Sequence, residues 1–138
     1  MEIQTLNDQE HSALIDGLNL AARLLDSSPP LNIAQLQELF EALKSRGNDF
    51  PEAAIALGLA FGQVIVDETG FDWVRVNDEF GQETCVSPTG TKLICAPISM
   101  IQKRLSSDDT IDLNRLKNFV VEQINQKVES GEYDAREN

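Results

Sequence analysis

Residues that carry most enzyme and metal chemistry are scarce in this sequence. It contains one histidine, His11, and two cysteines, Cys85 and Cys95. A zinc site needs several such ligands at short spacings, and a cysteine nucleophile needs a nearby base, so neither is predicted. We expect no catalytic residue, no metal and no cofactor, and two free thiols that are buried as small apolar side chains.

The glycine-rich motifs that bind phosphate are absent as well. Neither G-x-x-x-x-G-K-[ST] nor G-x-G-x-x-G occurs, and there is no G-x-S-x-G nucleophile elbow. The oxygen-rich run at 77–81 lacks the order of acidic residues and the later glutamate of a calcium loop. No recognised signature therefore supports an enzyme, although this does not decide the question.

Positive charge is also scarce. Eleven basic side chains stand against 23 acidic ones, which gives a formal net charge of −12. Such a surface repels phosphate backbones and anionic lipids, so we expect neither nucleic acid nor membrane as a partner. The charge favours a basic protein as partner, but solubility alone also explains it.

Long apolar runs are missing too. The most apolar stretch contains Gln63 and ends in acidic residues, so no membrane span is predicted. The first residues have neither the basic nor the apolar region of a signal peptide. We expect a cytoplasmic protein with a single domain over 1–138, loose at 1–7 and 130–138.

The apolar stretch Pro51–Thr69 is predicted to be a central helix that is buried on most sides. Asp49 and Glu52 have the spacing of a capping box, and Gly70 marks the end of the helix.

Ala54, Gly58 and Gly62 follow one another at i, i+4 and i+8 of this helix. Each glycine costs about 1 kcal/mol against alanine in a helix interior. Close packing of another backbone on this glycine line would offset the cost. The alternative is a ligand pocket beside the same line.

Two helices are predicted before the central one, because apolar residues recur there at helical spacing. The first covers 8–26, and the second ends before residue 47. Their predicted caps are Asn7 or Asp8 for the first helix, and Asn32 with Gln35 for the second.

Three strands are predicted after the central helix, at 71–76, 82–87 and 91–96. They form an antiparallel meander with turns at 77–81 and 88–90. This register puts Cys85 opposite Leu93 and Cys95 one diagonal step away, beyond disulfide reach. Trp73 is expected to anchor the core, and the pattern leaves open which sheet face is buried.

A short helix that opens at Pro97 and a last helix over 111–129 complete the prediction. The fold class is therefore α+β, with helices packed on one face of a small three-stranded antiparallel sheet.

The densest group of carboxylates lies between positions 67 and 83, where Arg75 is the only basic residue. One interpretation is an ordinary solvated turn region, and the other is an acidic patch that recognises a basic protein. The six residues are Asp67, Glu68, Asp72, Asp78, Glu79 and Glu83.

The run LGLAFGQVIVDETGFDWVRV, two further strands and APISMIQKRL together resemble a bacterial family known as domain of unknown function 3806, over about residues 50–105. The resemblance implies an α+β fold with helices on an antiparallel sheet, and it implies no activity. The first two helices lie outside the matched part. The residues that carry the resemblance are Gly58, Gly62, Trp73, Pro97, Ile98, Lys103 and Arg104.

Two functional hypotheses follow. The first is a non-enzymatic protein-binding module with an acidic surface, for example a bacterial immunity protein. The second is a small enzyme or ligand-binding protein with a pocket beside the Gly58/Gly62 helix. The sequence does not predict the oligomeric state.

Overall fold

The computed structural model describes residues 1–47 and 49–136. It has the predicted α+β fold, with helices and a three-stranded antiparallel sheet. In chain order the elements are β1 (Glu2–Thr5), α1 (Asp8–Leu24), α2 (Ile33–Arg46), α3 (Pro51–Thr69), β2 (Asp72–Asp78), β3 (Gly81–Ser87), α4 (Pro97–Leu105) and α5 (Leu113–Ser130).

The central helix α3 has the predicted bounds and is buried on most sides, with nine buried residues among its nineteen. Gly70 ends it in the left-handed conformation, at φ 78°. The predicted capping box is wrong, because Phe50 occupies the cap position and makes no side-chain cap. Pro51 is the first residue of the helix and has no backbone N–H. One unpaired donor at the start of the helix is therefore missing, which lessens the need for a cap.

The predicted capping box of α2 is confirmed, and of the two predicted caps of α1 it is Asn7 that caps the helix, forming a box with Glu10. Asn7 Oδ1 accepts from the Glu10 N–H at 2.8 Å, and the Glu10 carboxylate accepts from the Asn7 N–H at 2.9 Å. Asn32 and Gln35 repeat this arrangement at α2. The first helix ends at Leu24, two residues before the predicted end.

The third strand of the sheet is not the predicted one. The strand order is β1-β2-β3, and residues 2–5, expected to be loose, pair antiparallel with β2. Residues 91–96 contribute only isolated bridges, between Cys95 and Val86 and between Thr91 and Ala135. The edge of β2 presents free N–H and C=O groups to any extended segment, and the N-terminal segment pairs with it.

The predicted hairpin loop at 88–90 is part of a longer loop. Val86 and Cys95 exchange both backbone hydrogen bonds, at 2.9 and 2.8 Å, so residues 87–94 form the connection between them. Thr91 turns into this loop and donates its hydroxyl to the Pro88 carbonyl at 2.9 Å. The predicted pairing of Cys85 with Leu93 is therefore wrong. Cys85 and Cys95 belong to different apolar clusters and are both free thiols.

Both faces of the sheet carry buried residues. On one face, Trp73 donates from Nε1 to Gln63 of α3 at 3.0 Å, and Arg75 forms an ion pair with Glu10 of α1 at 3.2 Å. The residues that alternate with them along β2 point to the other face of the sheet, where they belong to a separate apolar cluster. Its members are Val74, Val76 and Cys85, with Ile3 and Ala96 packed against them.

The connection between α4 and α5 is tied to α2 by one ammonium group. Lys44 Nζ donates to the carbonyls of Arg104, Ser107 and Asp109, at 3.1, 2.6 and 2.5 Å. It also lies 5.7 Å from the centre of the Phe40 ring. Among the described residues, no helix combines the length and apolar character that a membrane crossing requires.

Candidate functional site

The glycine line of α3 is filled by packing. A methyl group on Gly58 would stand 2.6 Å from the Cα of Ile98, in α4. A methyl group on Gly62 would stand 2.4 Å from Trp73 Cη2 and 2.8 Å from Pro97 Cγ. The missing side chains of Gly58 and Gly62 therefore allow α4 and the Trp73 indole ring to pack directly on α3. This packing leaves no room for a ligand beside the glycines.

A cavity of about 250 Å³ lies beyond the glycine line, at its Ala54 end. It is mostly apolar, and its polar side chains are the amide of Gln102 and the hydroxyl of Ser106. None of the described residues that line it is titratable, so they offer no acid–base group. Its lining residues are Leu43, Gly47, Phe50, Pro51, Ala54, Gln102, Leu105 and Ser106.

The two thiols have the environment of structural cysteines. Burial raises the pKa of Cys85 to about 12, with smaller contributions from the charges of Glu83, Cys95 and Asp78. Burial alone raises the pKa of Cys95 to about 12. A nucleophile needs the thiolate, so neither thiol is activated near neutral pH.

The only histidine does not assist these thiols. His11 lies on α1 with its side chain exposed, whereas both thiols are buried. Within 1–47 and 49–136, no three His, Cys, Asp or Glu side chains converge in a way that could hold a metal ion.

The six predicted acidic residues form two separate groups. Asp72 begins β2 and Asp78 ends it. A seven-residue strand separates its ends by about 20 Å, since each residue adds about 3.3 Å. The structure thus brings Asp67, Glu68 and Asp72 to one end of β2, and Asp78, Glu79 and Glu83 toward the hairpin at the other end.

The group at the start of β2 is engaged within the chain. Asp67 Oδ1 accepts from Gln63 Nε2 at 2.7 Å. Glu68 forms an ion pair with Lys117 of α5 at 3.0 Å. Asp72 forms an ion pair with Arg136, which follows α5. These contacts give the three carboxylates structural partners.

In the group at the hairpin, Asp78 and Glu79 face solvent. Asp78 Oδ1 accepts from the Phe80 N–H at 2.8 Å, which fixes the turn. The Phe80 side chain is 90% exposed, the highest value among the large apolar residues that are exposed. Glu79 beside it is exposed as well. Glu83 lies further along β3, where its carboxylate accepts from the hydroxyl of Ser99 in α4.

Sequence reasoning missed a polar cluster around Arg136. The Arg136 guanidinium contacts Asp72 at the start of β2, Ser87 at the end of β3, and Pro88 and Thr91 in the loop that follows. We call these five residues the Arg136 cluster. No local signal predicts it, because the last polar residues resemble a loose end, and the five members come from three separate parts of the chain.

The family described as "Domain of unknown function (DUF3806)" matches residues 32–116, which is more than half of the 138-residue chain. The chain belongs to this family. The match includes α2, so the expectation that the second helix lies outside it is wrong. Gly58, Gly62, Trp73 and Pro97 all lie inside the matched range. No curated protein and no solved structure matches the chain.

Proposed function

We propose that this member of the family is a non-enzymatic protein-binding module, and that it recognises a basic protein through the hairpin tip, residues 78–80. The observation that carries the proposal is the side chain of Phe80, 90% exposed beside two carboxylates. Aromatic side chains are enriched among the residues that dominate binding at protein interfaces.

The turn itself gives no reason for phenylalanine at this position. Glu79 and Phe80 keep negative φ and Gly81 takes the positive value of 120°, so the turn accepts most residue types at position 80 and does not require an aromatic one. A phenyl ring left in water forgoes about 1.5–3 kcal/mol of burial free energy. A partner that buries the Phe80 ring would recover this free energy, whereas the chain alone gains nothing from it.

Charge supports a basic partner. Asp78 and Glu79 flank the exposed ring, and the chain as a whole carries a formal charge of −12. An acidic surface of this kind speeds encounter with a basic protein and disfavours acidic competitors. The aromatic ring would then supply contact area, and the carboxylates would supply selectivity.

The proposal can be tested with a photo-reactive residue at the hairpin tip. Phe80 is replaced by p-benzoylphenylalanine in the full chain, and cross-linking is carried out in the source cells. Phe119, on α5 and 61% exposed, is a matched control position. We expect one dominant cross-linked protein with a basic surface from position 80 and none from position 119.

Charge substitutions make this test specific. In the cross-linking chain, Asp78→Asn with Glu79→Gln should strongly reduce the adduct, and increasing salt should do the same. Equal adducts from both positions, or a dominant acidic partner, would argue against the hairpin tip.

A bacterial immunity protein is one concrete form of this function. In that form the cross-linked partner is a toxin, and producing this chain protects the cell. We expect Phe80→Ser to abolish protection while leaving the fold intact. We also expect the module to act in the cytoplasm, since reducing conditions keep both cysteines as free thiols.

A second candidate function is a small-ligand carrier. Its support is the cavity at Ala54, which combines apolar walls with the Gln102 amide and the Ser106 hydroxyl. A thermal-shift screen of small amphipathic compounds would test it, with Leu105→Trp as a variant that fills the cavity. Compounds that stabilise the unchanged chain and this variant equally would exclude the cavity as their site.

A further inference from the structure

The guanidinium of Arg136 has an unusually complete set of acceptors. Nε donates to the Thr91 carbonyl at 3.0 Å, and Nη1 donates to Asp72 Oδ2 at 3.2 Å. Nη2 donates to Ser87 Oγ and to the Pro88 carbonyl, both at 3.0 Å. An ion pair on a protein surface often has only one such contact. Here Nε and both terminal nitrogens of the planar guanidinium each have an acceptor.

Contacts within the loop hold three of these acceptors in place. Ser87 is fully buried, and Thr91 is only 3% exposed. The loop is closed by its own hydrogen bonds, since the Thr91 N–H and hydroxyl both donate to the Pro88 carbonyl, at 3.1 and 2.9 Å. Gly90 supplies the left-handed turn at φ +80°. A lysine could not satisfy these acceptors, because its ammonium is a point charge without the fork geometry.

The backbone around Arg136 binds the loop as an added strand. The Arg136 N–H donates to the Gly90 carbonyl at 2.9 Å, and the Lys92 N–H donates to the Asp134 carbonyl at 2.9 Å. Thr91 and Ala135 form the antiparallel bridge between these bonds. Main-chain bonds of this kind accept many sequences, and a side-chain site beside them gives specificity.

Apart from the contacts of Arg136 and two backbone hydrogen bonds, the segment that fills the site is exposed. Residues 131–135 are all exposed, and Arg136 alone is partly buried. The segment leaves α5 through Gly131, which has φ +74°. Exposed segments with few apolar contacts open at low free energy, so this occupant can leave while the loop keeps its own bonds.

We infer that Asp72 and the loop 87–91 form an arginine-binding site for an extended segment of a partner protein, and that residues 134–136 occupy this site in the free chain. The partner segment would pair with residues 90–92, and its arginine would replace Arg136. A guanidinium satisfies these acceptors best. The partner segment must therefore carry an arginine, and another cationic side chain does not replace it. The site lies at the opposite end of β2 from the hairpin tip, so the inference does not depend on the function proposed above.

The test uses the full-length Arg136→Pro variant, which removes both the guanidinium and the N–H that binds Gly90. The probe is the capped pentapeptide EYDAR, which has the sequence of residues 132–136. By isothermal titration calorimetry, we expect this variant to bind the peptide at least about tenfold more tightly than the unchanged chain. Peptides with lysine or citrulline in place of arginine should bind at least about tenfold more weakly.

Two substitutions at the ends of β2 separate the site from general charge attraction. Each substitution is added to the Arg136→Pro variant. Asp72→Asn should lower the affinity for the arginine peptide by about tenfold or more, and Asp78→Asn should leave that affinity unchanged. Equal losses from both substitutions would overturn the inference, and so would equal binding of the arginine and lysine peptides.

A second measurement covers the case in which Arg136→Pro does not fold. In the unchanged chain, the Nε–H resonance of Arg136 reports its bond to the Thr91 carbonyl. Excess arginine peptide should move this resonance to the position of a free arginine, and the lysine peptide should not. A resonance that stays in place at saturating peptide would show that Arg136 is a fixed structural residue, and the inference would be wrong.

Discussion

The Cα of Ile98 lies directly against Gly58, so close that a methyl group at position 58 would stand 2.6 Å from it. This contact joins the two helices α3 and α4 backbone to backbone. It explains why the central helix carries glycine at a position where alanine is the better helix former.

Gly58→Ala should destabilise the chain by about 3 kcal/mol, because the backbone of α4 must move to admit the methyl group. Gly17→Ala is the matched control. Its methyl group would meet only Leu59 Cδ1, at 2.5 Å, and a side-chain end can rotate away. Urea unfolding should find Gly17→Ala close to the unchanged chain or slightly more stable, and equal losses for both variants would contradict the packing.

Gln63→Met should destabilise the chain by about 1 kcal/mol, because it removes the acceptor of the partly buried Trp73 indole N–H. Trp73 is the only tryptophan, so its fluorescence reports the change directly. Gln126→Met is the control, since that amide bonds only to exposed Glu122 of its own helix. An unchanged emission spectrum and midpoint for Gln63→Met would mean that the bond contributes nothing.

Lys44→Gln should destabilise the chain by about 2 kcal/mol, because three backbone carbonyls, at the end of α4 and in the connection to α5, lose their donor. Arg46→Gln removes the same charge from the same last turn of α2 and serves as the control. Amide hydrogen exchange should also rise at residues 104–109 in the Lys44 variant alone. If both variants lose the same stability, the effect belongs to charge and not to the carbonyls.

Stability should fall as the pH rises above about 9. Burial raises the pKa of both cysteines from 9.0 to about 12, so the folded state keeps protons that the unfolded state releases. The contribution of the two thiols is complete below pH 9 and is lost progressively as the pH rises toward 12. Urea midpoints at about pH 8 and about pH 10 should differ less in Cys85→Ala with Cys95→Ala than in the unchanged chain. An identical pH dependence would show that other groups cause it.

Local sequence signals were sufficient wherever the physical cause is local. The capping box at Asn32 depends on residues three positions apart and forms as predicted, and Asn7, one of the two predicted caps, caps α1. The small residues Gly58 and Gly62 predicted close packing on α3, which is confirmed. The predicted box at Asp49 failed because Pro51 set the helix start one residue later than the box requires.

The sheet shows where such signals end. Residues 91–96 have the composition of a strand, yet only Cys95 of this segment pairs with β3, and residues 2–5 add a strand at the opposite edge of the sheet, beside β2. Composition within a segment does not decide which strand edge that segment reaches, because the edge belongs to residues distant in sequence. The register of Cys85 and Cys95 was wrong for the same reason, since the length of the 87–94 loop fixes it.

For the candidate surfaces too, some features depend on the sequence alone and others depend on the tertiary structure. The sequence alone determined the excess of acidic residues, the buried apolar helix and the lack of a catalytic signature, because composition and periodicity act along the chain. Only the tertiary structure decided that the six carboxylates separate along β2, that Phe80 is exposed, and that Arg136 meets Asp72. Those relationships depend on the direction and pairing of strands, which bring together residues that no local pattern connects.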